Sequence, residues 1–226
     1  MTDSARLAAA SPMHGLYGIT PEWDDTDRLI AAVTAGVRGG LRVLQFRRKN
    51  LTPAQKQVQA LALCDACTRL GIPLLINDDW RLALDVGAAG VHLGREDGDI
   101  ADVRRQIGND LLIGASCYND IALAEAALAA GADHVAFGAV FSSPTKPAAV
   151  NAPLSLLTRA RKLRVSQDDA HSPIRPALVA IGGITPANAA SVVAAGADAL
   201  AVISALFEAD DIEATARAFS QAFVAA

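Results

Sequence analysis

The residues best suited to catalysis or metal binding lie in the stretch Leu74–Asp97, where two short apolar runs each end in acidic side chains. Asn77 and Asp78 follow the first run, and Asp97 follows the second. Runs this short are typical of buried strands, so these side chains are expected at the C-terminal ends of neighbouring parallel strands. Carboxylates there suit Mg²⁺, which is commonly held by one or two carboxylates together with substrate phosphates. The stretch therefore predicts a magnesium site and a phosphorylated substrate.

A cluster of three cations follows the second predicted strand, in the segment Gln45-Phe-Arg-Arg-Lys49. Arginine suits bidentate contacts with phosphate oxygens, and lysine supplies a point charge. A basic run by itself is more typical of a solvated surface, but this one falls at the same predicted sheet edge as Asp78 and Asp97. A further lysine ends the hydroxyl-rich segment Ser142–Lys146, for which a plain turn is the alternative. These cations predict an anion site beside the metal.

A second phosphate site is predicted near the end of the chain. Gly182-Gly183 follows the seventh predicted strand and Ser204 follows the eighth. Glycine lets the backbone approach an anion closely, and Thr185-Pro186 begins a helix whose amides point at it. Parallel α/β barrels often bind phosphate at these last two loops. A neutral site separate from the cationic one implies two phosphorylated ligands, or one ligand with phosphates at both ends.

Histidine and cysteine give weaker signals. His92 lies within a predicted strand and is interpreted as a core residue. Cys64 and Cys67 form a Cys-x-x-Cys in the middle of a helical pattern, whereas a redox motif belongs near the start of a helix that follows a strand. With Cys117, they predict neither a disulfide framework nor a metal site.

Short apolar segments alternate with helical patterns along the chain. Thr52-Pro53 carries an N-cap and a first-turn proline, opening a helix to about Leu70. A repeated Ala-Gly, as at Ala35-Gly36 and Ala195-Gly196, suits the end of a helix that precedes a strand. The predicted strands are Gly15–Thr20, Gly40–Gln45, Ile72–Ile76, Gly90–Leu93, Leu111–Ala115, His134–Phe137, Ala177–Ile181 and Ala199–Ile203.

The predicted strands number eight, and a helical pattern follows each of them. Eight such strand–helix units close a (β/α)8 TIM barrel. The predicted fold is a single α/β TIM-barrel domain over residues 14–226, preceded by a flexible, alanine-rich tail over residues 1–13. An open, doubly wound sheet is the competing arrangement. The polar segment Val165–Pro176 is predicted to be an irregular excursion.

Composition narrows the class of function. A net charge of −4 over 226 residues argues against a broad nucleic-acid surface. No apolar span approaches the roughly 18 residues of a membrane helix, and the first residues contain no hydrophobic signal core. We therefore expect a cytoplasmic protein that acts on two small phosphorylated substrates, without nucleic-acid or membrane partners. A homo-oligomer is allowed but not predicted.

From about Leu16 to Phe223 the chain resembles the thiamine phosphate synthase family. It differs from the family pattern at Arg48, where the family has glutamate, at Arg95, where it has glutamine, at Ser143, and at Cys117-Tyr118. Arg48 and Arg95 would add positive charge near a diphosphate. The matching segments are Gln45-Phe-Arg47-Arg48-Lys49, Asn77-Asp78, Gly94-Arg95-Glu96-Asp97, Gly114-Ala115-Ser116, Ser143-Pro144-Thr145-Lys146, Gly182-Gly183-Ile184-Thr185 and Val202-Ile203-Ser204.

The resemblance implies a transferase that joins a hydroxymethylpyrimidine diphosphate to a thiazole phosphate by a dissociative mechanism, releasing pyrophosphate. It implies Mg²⁺ held by Asp78 and Asp97. The residues implied in catalysis are Arg47, Lys49, Ser116 and Lys146. The pyrimidine diphosphate would be bound by Gln45, Arg47, Lys49, Asn77, Ser116 and Lys146. The thiazole phosphate would be bound by Ser143, Thr145, Gly183, Ile203 and Ser204.

Two alternatives remain open from the residues. A related thiazole tautomerase shares the barrel but transfers a proton on the thiazole phosphate, and it would not need the full set of cations and carboxylates. A non-catalytic sensor of a phosphorylated ligand would keep the phosphate site but would have little need of a metal pair.

Overall fold

The computed structural model describes residues 13–142, 150–163 and 176–224. Within these ranges, eight strands alternate with nine helices. The strands are β1 (Gly15–Ile19), β2 (Leu41–Phe46), β3 (Leu74–Asn77), β4 (Gly90–Leu93), β5 (Leu112–Tyr118), β6 (His134–Gly138), β7 (Ala177–Ile181) and β8 (Ala199–Val202). The helices are α1 (Thr26–Arg38), α2 (Pro53–Leu70), α3 (Trp80–Asp85), α4 (Ile100–Ile107), α5 (Ile121–Ala129), α6 (Leu154–Ala160), α7 (Pro186–Ala195), α8 (Ser204–Phe207) and α9 (Ile212–Gln221).

The strands form one closed barrel in the order β1 to β8. Every neighbouring pair is parallel, and β1 pairs with β8, Gly15 aligning with Ala199 and Gly18 with Val202. The TIM barrel predicted from the sequence is confirmed, and the open doubly wound sheet is wrong. Because all strands point the same way, their C-terminal ends form a single mouth.

The core has two layers, separated by the wall of the barrel. Alternate strand residues face outward and pack under the helices, as Leu16, Leu44 and Val91 do. The residues between them face inward, where Tyr17 and Val43 belong to a smaller apolar cluster. This alternation decides which side chains reach the mouth from within the barrel.

Aspartate and threonine side chains set the start of several helices. Thr52 accepts a hydrogen bond from Gln55 N and Pro53 is the first residue of α2, as the sequence predicted. Gly71 ends that helix in the left-handed conformation, with φ of 71°. The other side-chain caps are Asp25, Asp79, Asp99, Asp120 and Asp211.

The repeated Gly-Ala-Asp before strands β6 and β8 has a structural explanation. Asp198 N donates to Leu178 O at 2.8 Å, and Asp198 Oδ2 accepts from Leu178 N at 2.8 Å. Asp133 makes the same pair of bonds with Ile113, both at 2.7 Å. Each aspartate therefore joins the start of its own strand to the start of the preceding one, at the end of the barrel opposite the mouth.

Strand boundaries largely follow the sequence prediction. β4 and β7 match it residue for residue, while β5 continues to Tyr118, beyond the predicted end at Ala115. The first helix, predicted to end at Val37, ends at Arg38, so the Ala35-Gly36 motif lies inside α1 rather than at its end. Gly36 is buried there against the side chain of Leu41, which a Cβ at Gly36 would meet at 3.2 Å.

The N-terminal boundary also needs a correction. Met13, assigned to the flexible tail, is 1% exposed and packs in the apolar cluster inside the barrel. Residues 1–12 and most of the predicted excursion Val165–Pro176 lie outside the described residues. None of the helices in the described ranges combines the length and apolar character that crossing a membrane requires.

Candidate active site

Thr20 joins the ends of β1 and β2 at the mouth. Its hydroxyl oxygen accepts from Arg47 N at 2.9 Å and donates to Arg47 O at 3.2 Å, and its own amide donates to Gln45 O. Thr20 is buried, so these bonds are shielded from water. The backbone from which Arg47 and Lys49 project is thereby fixed.

A polar layer lies inside the barrel just below the mouth. Gln45 Nε2 donates to Asn77 Oδ1 at 2.9 Å, and Tyr17 Oη lies 3.4 Å from Gln45 Oε1. These hydrogen bonds hold the side chains of three adjacent strands in one orientation. The amides of Gln45 and Asn77 can therefore present fixed donors and acceptors to a heterocyclic ligand.

Asp78 and Asp97 meet at the mouth. Burial of Asp78, its hydrogen bond with Asp97 and the charge of Asp97 raise the pKa of Asp78 to about 6, whereas Lys49 and Arg47 act to lower it. Asp78 has φ of 68°, uncommon for a residue other than glycine, and its amide donates to His92 O at 2.8 Å. Asp97 Oδ2 accepts from Gly94 N at 2.7 Å. The structure thus brings both predicted metal ligands and both cations together.

The donor set fits Mg²⁺. Two adjacent carboxylates repel each other in the absence of a cation, and Mg²⁺ needs only one or two protein carboxylates when substrate phosphates complete its shell. In the described residues, no group of three or more His, Cys, Asp or Glu side chains is arranged to hold a metal by itself. The pair is therefore suited to a metal that arrives with a phosphorylated substrate.

Two buried histidines lie below the carboxylates. His92 Nε2 lies 2.9 Å from Ser116 Oγ, while His92 Nδ1 and both ring nitrogens of His134 have no hydrogen-bond partner in the described residues. The ring centroids are 5.7 Å apart, and both rings face Gly114, where a Cβ would collide with them. His92 is in the core as predicted, but only one of its nitrogens is satisfied. Its bond to Ser116 orients a hydroxyl at the mouth.

The predicted phosphate cup lies across the mouth. Gly182 and Gly183 have φ of 102° and 62°, and a Cβ on Gly183 would meet Ser142 O at 2.5 Å and Phe141 Cβ at 2.7 Å. The glycine pair is therefore also needed for packing against the loop after β6. Asn188 Nδ2 donates to Gly183 O at 3.0 Å, and Ser204 is the first residue of α8.

Three predicted site residues cannot be placed. Ser143, Thr145 and Lys146 lie outside the described residues. Ser142, the last described residue before them, reaches the glycine pair through its carbonyl oxygen. The roles of these three residues stay predictions from the resemblance.

Arg48 departs from the sequence prediction. Its side chain is 1% exposed and binds Glu22, Asp24 and Gln59, so it adds no free charge to the mouth. The prediction that it acts as an extra cation near a diphosphate is wrong. Arg95 and Tyr118 contact each other at the rim, with the guanidinium 5.2 Å from the ring centroid.

The two buried cysteines are unsuited to act as nucleophiles. Burial raises the pKa of Cys67 and of Cys117 to about 12, so both thiols are protonated at neutral pH. Cys64 and Cys67 lie in the middle of α2, as predicted.

Sequence reasoning missed several residues that shape this site. Thr20 and Glu22 follow β1, and Tyr17 and His134 point into the barrel. A strand-end position marked the first two, and period-two alternation marked the others. Neither signal singles these residues out, because none of the four belongs to a recognisable motif.

A closed parallel barrel whose mouth joins cations, a carboxylate pair and a glycine-lined loop defines a class: barrel enzymes that act on small phosphorylated molecules. The family described as thiamine monophosphate synthase matches residues 16–206. The chain belongs to that family and is a transferase of thiamine biosynthesis.

Relatives agree over nearly the whole chain. A thiamine-phosphate synthase of Bordetella pertussis is 62% identical over 209 residues, covering 92% of this chain and 94% of the relative. One from Methylobacillus flagellatus is 51% identical, covering 94% and 96%. The solved structure of a thiamine phosphate pyrophosphorylase from Pyrococcus furiosus superposes with a TM-score of 0.78 at 29% identity, covering 93% and 96%.

Proposed function

We propose that the protein joins 4-amino-2-methyl-5-hydroxymethylpyrimidine diphosphate to a thiazole phosphate, producing thiamine phosphate and pyrophosphate. The observation that supports this most strongly is the convergence of Arg47 and Lys49 on Asp78 and Asp97 at one side of the mouth. That side suits a diphosphate with its metal, while the glycine-lined loop on the other side suits a monophosphate.

The pyrimidine diphosphate is assigned to the β2–β5 side of the barrel. The polar layer below the mouth supplies hydrogen-bonding groups for the pyrimidine ring, and the cations above it face the phosphates. We assign catalytic roles to Arg47, Lys49, Ser116 and Lys146, and the residues assigned to binding are Gln45, Arg47, Lys49, Asn77, Ser116 and Lys146.

The thiazole phosphate is assigned to the opposite side. Ile203 lies with Ile181 at the edge of the apolar cluster inside the barrel, which gives this side an apolar wall for a thiazole ring. The first residue of a helix has no intrahelical acceptor for its amide, which leaves Ser204 N suited to an anion. The residues assigned to this ligand are Ser143, Thr145, Gly183, Ile203 and Ser204.

We assign the metal to Asp78 and Asp97. Bound Mg²⁺ would neutralise negative charge on the diphosphate oxygens. The separate contribution of the protein is to hold Arg47 and Lys49 in place through Thr20, so that the positive charge is already oriented when the substrate binds.

The reaction proposed is dissociative. The bond between the pyrimidine methylene carbon and the diphosphate oxygen breaks, and its electron pair leaves on pyrophosphate. The thiazole nitrogen then gives its lone pair to the methylene cation, forming the new carbon–nitrogen bond. Arg47, Lys49 and Lys146 stabilise the departing charge, and no protein nucleophile is required. This is consistent with the protonated state of the buried thiols.

The carboxylate pair favours this function over both alternatives. A thiazole tautomerase would not need the diphosphate side, and a phosphate sensor would not need two half-buried carboxylates in contact, which cost stability when no cation is present. We further assign the protein to the cytoplasm.

Single-substrate incubations test this assignment. Purified protein with Mg²⁺ should form thiamine phosphate only when both substrates are present. With the thiazole phosphate alone in deuterated water, exchange of a ring-substituent proton should not exceed the rate without protein. Catalysed exchange together with failure to form thiamine phosphate would instead establish the tautomerase.

A further inference from the structure

Arg48 lies between the two cations of the diphosphate side, but its side chain turns into the protein. Its side chain is 1% exposed. The guanidinium donates from Nε to Glu22 Oε2 at 3.2 Å, from Nη2 to Asp24 Oδ1 at 2.6 Å, and from Nη1 to Gln59 Oε1 at 2.7 Å and to Trp23 O. Lysine cannot reproduce these bonds, because its donors all lie on one ammonium nitrogen, whereas the planar guanidinium donates from three nitrogens in fixed directions.

These bonds join three parts of the chain. Glu22 and Asp24 lie between β1 and α1, and Gln59 lies on α2. Gln59, itself buried, also donates to Trp23 O at 3.2 Å and to Thr26 Oγ1 at 3.1 Å. Arg48 therefore fixes the β2–α2 segment that carries Arg47 and Lys49 against the β1–α1 loop.

Glu22 is the member of this cluster that lies beside the substrate-facing cation Arg47. Its carboxylate accepts from Lys49 N at 3.2 Å and lies 3.9 Å from Arg47 Nη1. A carboxylate beside the Arg47 guanidinium would compete with a diphosphate for that cation, and its bond to Lys49 N places it at the backbone that carries the second cation. The bond from Arg48 Nε draws Glu22 toward the buried guanidinium and offsets its negative charge.

We propose that Arg48 is a positioning residue for the diphosphate side, which restrains Glu22 so that Arg47 and Lys49 stay available to the ligand. The inference rests on the proposed function, since it takes the ligand of these cations to be the pyrimidine diphosphate. It assigns Arg48 and Glu22 a joint effect on affinity for the diphosphate, without contact between Arg48 and the substrate.

A double-mutant cycle tests the inference. Arg48→Gln should raise the KM for the pyrimidine diphosphate about tenfold or more, because the released Glu22 then pairs with Arg47 and Lys49. The KM for the thiazole phosphate should change less than about twofold, since that ligand binds across the mouth. Adding Glu22→Gln to Arg48→Gln should recover most of the lost affinity.

The recovery distinguishes restraint of Glu22 from a merely structural role. If Arg48 only held the loop in place, removing the Glu22 carboxylate as well would not restore affinity, and equal KM values for the single and double variants would overturn the proposal. An unchanged KM in Arg48→Gln would overturn it too. The matched control is Arg38→Gln, which breaks the exposed ion pair with Glu213 on the outside of the barrel and should leave both KM values unchanged.

Calorimetric titration with inorganic pyrophosphate and Mg²⁺ measures binding to the diphosphate side without turnover. The dissociation constants should follow the same order: wild type tightest, Arg48→Gln weakest, and the double variant between them. One outcome is that the wild type forms no thiamine phosphate while the three proteins keep this order of dissociation constants. In that case the proposed function would fail and the restraint of Glu22 would stand. If Arg48→Gln does not fold, Arg48→Lys, with a single donor group, should show the same loss and the same recovery by Glu22→Gln; no loss in that folded variant would refute the restraint.

Discussion

The carboxylate of Asp97 combines two effects that a single substitution separates. Asp97→Asn removes a proposed Mg²⁺ ligand and also relieves repulsion with Asp78. We expect turnover to fall by about 100-fold or more, because stabilisation of the leaving charge is lost. The melting temperature of the metal-free protein should stay constant or rise. Turnover assayed across a Mg²⁺ titration, with thermal melting alongside, measures both.

The control is Asp85→Asn, an exposed acidic residue at the end of α3. It should change neither quantity. Turnover by Asp97→Asn at the wild-type level, at the same Mg²⁺ dependence, would exclude Asp97 as a metal ligand.

His134 predicts an effect on acid stability. It is fully buried with Tyr17 and His92 facing its ring, and burial lowers its pKa to about 3, with His92 adding to the effect. In the unfolded chain, histidine titrates near about 6.5. Between these values the unfolded state binds the extra proton, so stability is present above about pH 6.5 and falls as the pH decreases, by up to about 1.4 kcal/mol per pH unit.

His134→Phe removes that proton, so the free energy of unfolding should fall less steeply between about pH 6.5 and pH 4. Urea denaturation at several pH values gives the slope. His14→Gln, at an exposed position, serves as the control and should keep the wild-type slope. An equally steep loss in His134→Phe would show that His134 does not drive the acid sensitivity.

At the scale of elements, the barrel separates stability from function. Asp198 joins β8 to β7 at the end opposite the mouth. Asp198→Ala leaves the buried Leu178 N without its side-chain acceptor, which should reduce the free energy of unfolding by about 1–3 kcal/mol. Turnover by the folded fraction should be unchanged. Denaturation and turnover, compared with the exposed Asp210→Ala, measure the two effects. A large fall in turnover at full folding would contradict this separation.

The two ends of the phosphate cup should respond differently. Ser204→Ala keeps the backbone amide but removes the hydroxyl, so it should weaken thiazole-phosphate binding by about 1.5–3 kcal/mol, the value of one hydrogen bond to a charged group. Gly183→Ala should destabilise the fold as well, because its Cβ would meet Ser142 O and the residue has positive φ. Calorimetry and thermal melting on both variants separate these effects. If folded Ser204→Ala lost affinity equally for both substrates, the two-site assignment would be refuted.

For the whole molecule, the fold followed from local patterns. Strands β4 and β7 could be predicted exactly because each is a short apolar run with clear breaks on both sides. The role of Gly36 could not be predicted, since this residue resembles a helix stop in the sequence but packs inside α1 against Leu41. Packing of a helix against the strand that follows it cannot be read from an Ala-Gly motif.

The site divides in the same way. The placement of Arg47, Asp78 and Asp97 at the mouth could be predicted because each follows a strand end, and a barrel brings strand ends together. The true environment of Arg48 could not, because its partners lie 24 and 11 residues away in the chain, at Asp24 and Gln59. Its positive charge suggested a position at the mouth. The tertiary contacts show instead that Glu22 and Asp24 neutralise this charge inside the protein.

The central claim is that one protein uses both phosphate-binding sides of the barrel for a single condensation. Phosphorus NMR of a reaction with both substrates and Mg²⁺ follows every phosphorus atom at once. We expect the diphosphate signals to decay while pyrophosphate and thiamine phosphate appear in equal amounts, with no change when either substrate or Mg²⁺ is left out. Release of inorganic phosphate, or decay of the diphosphate without thiamine phosphate in the complete reaction, would contradict the account.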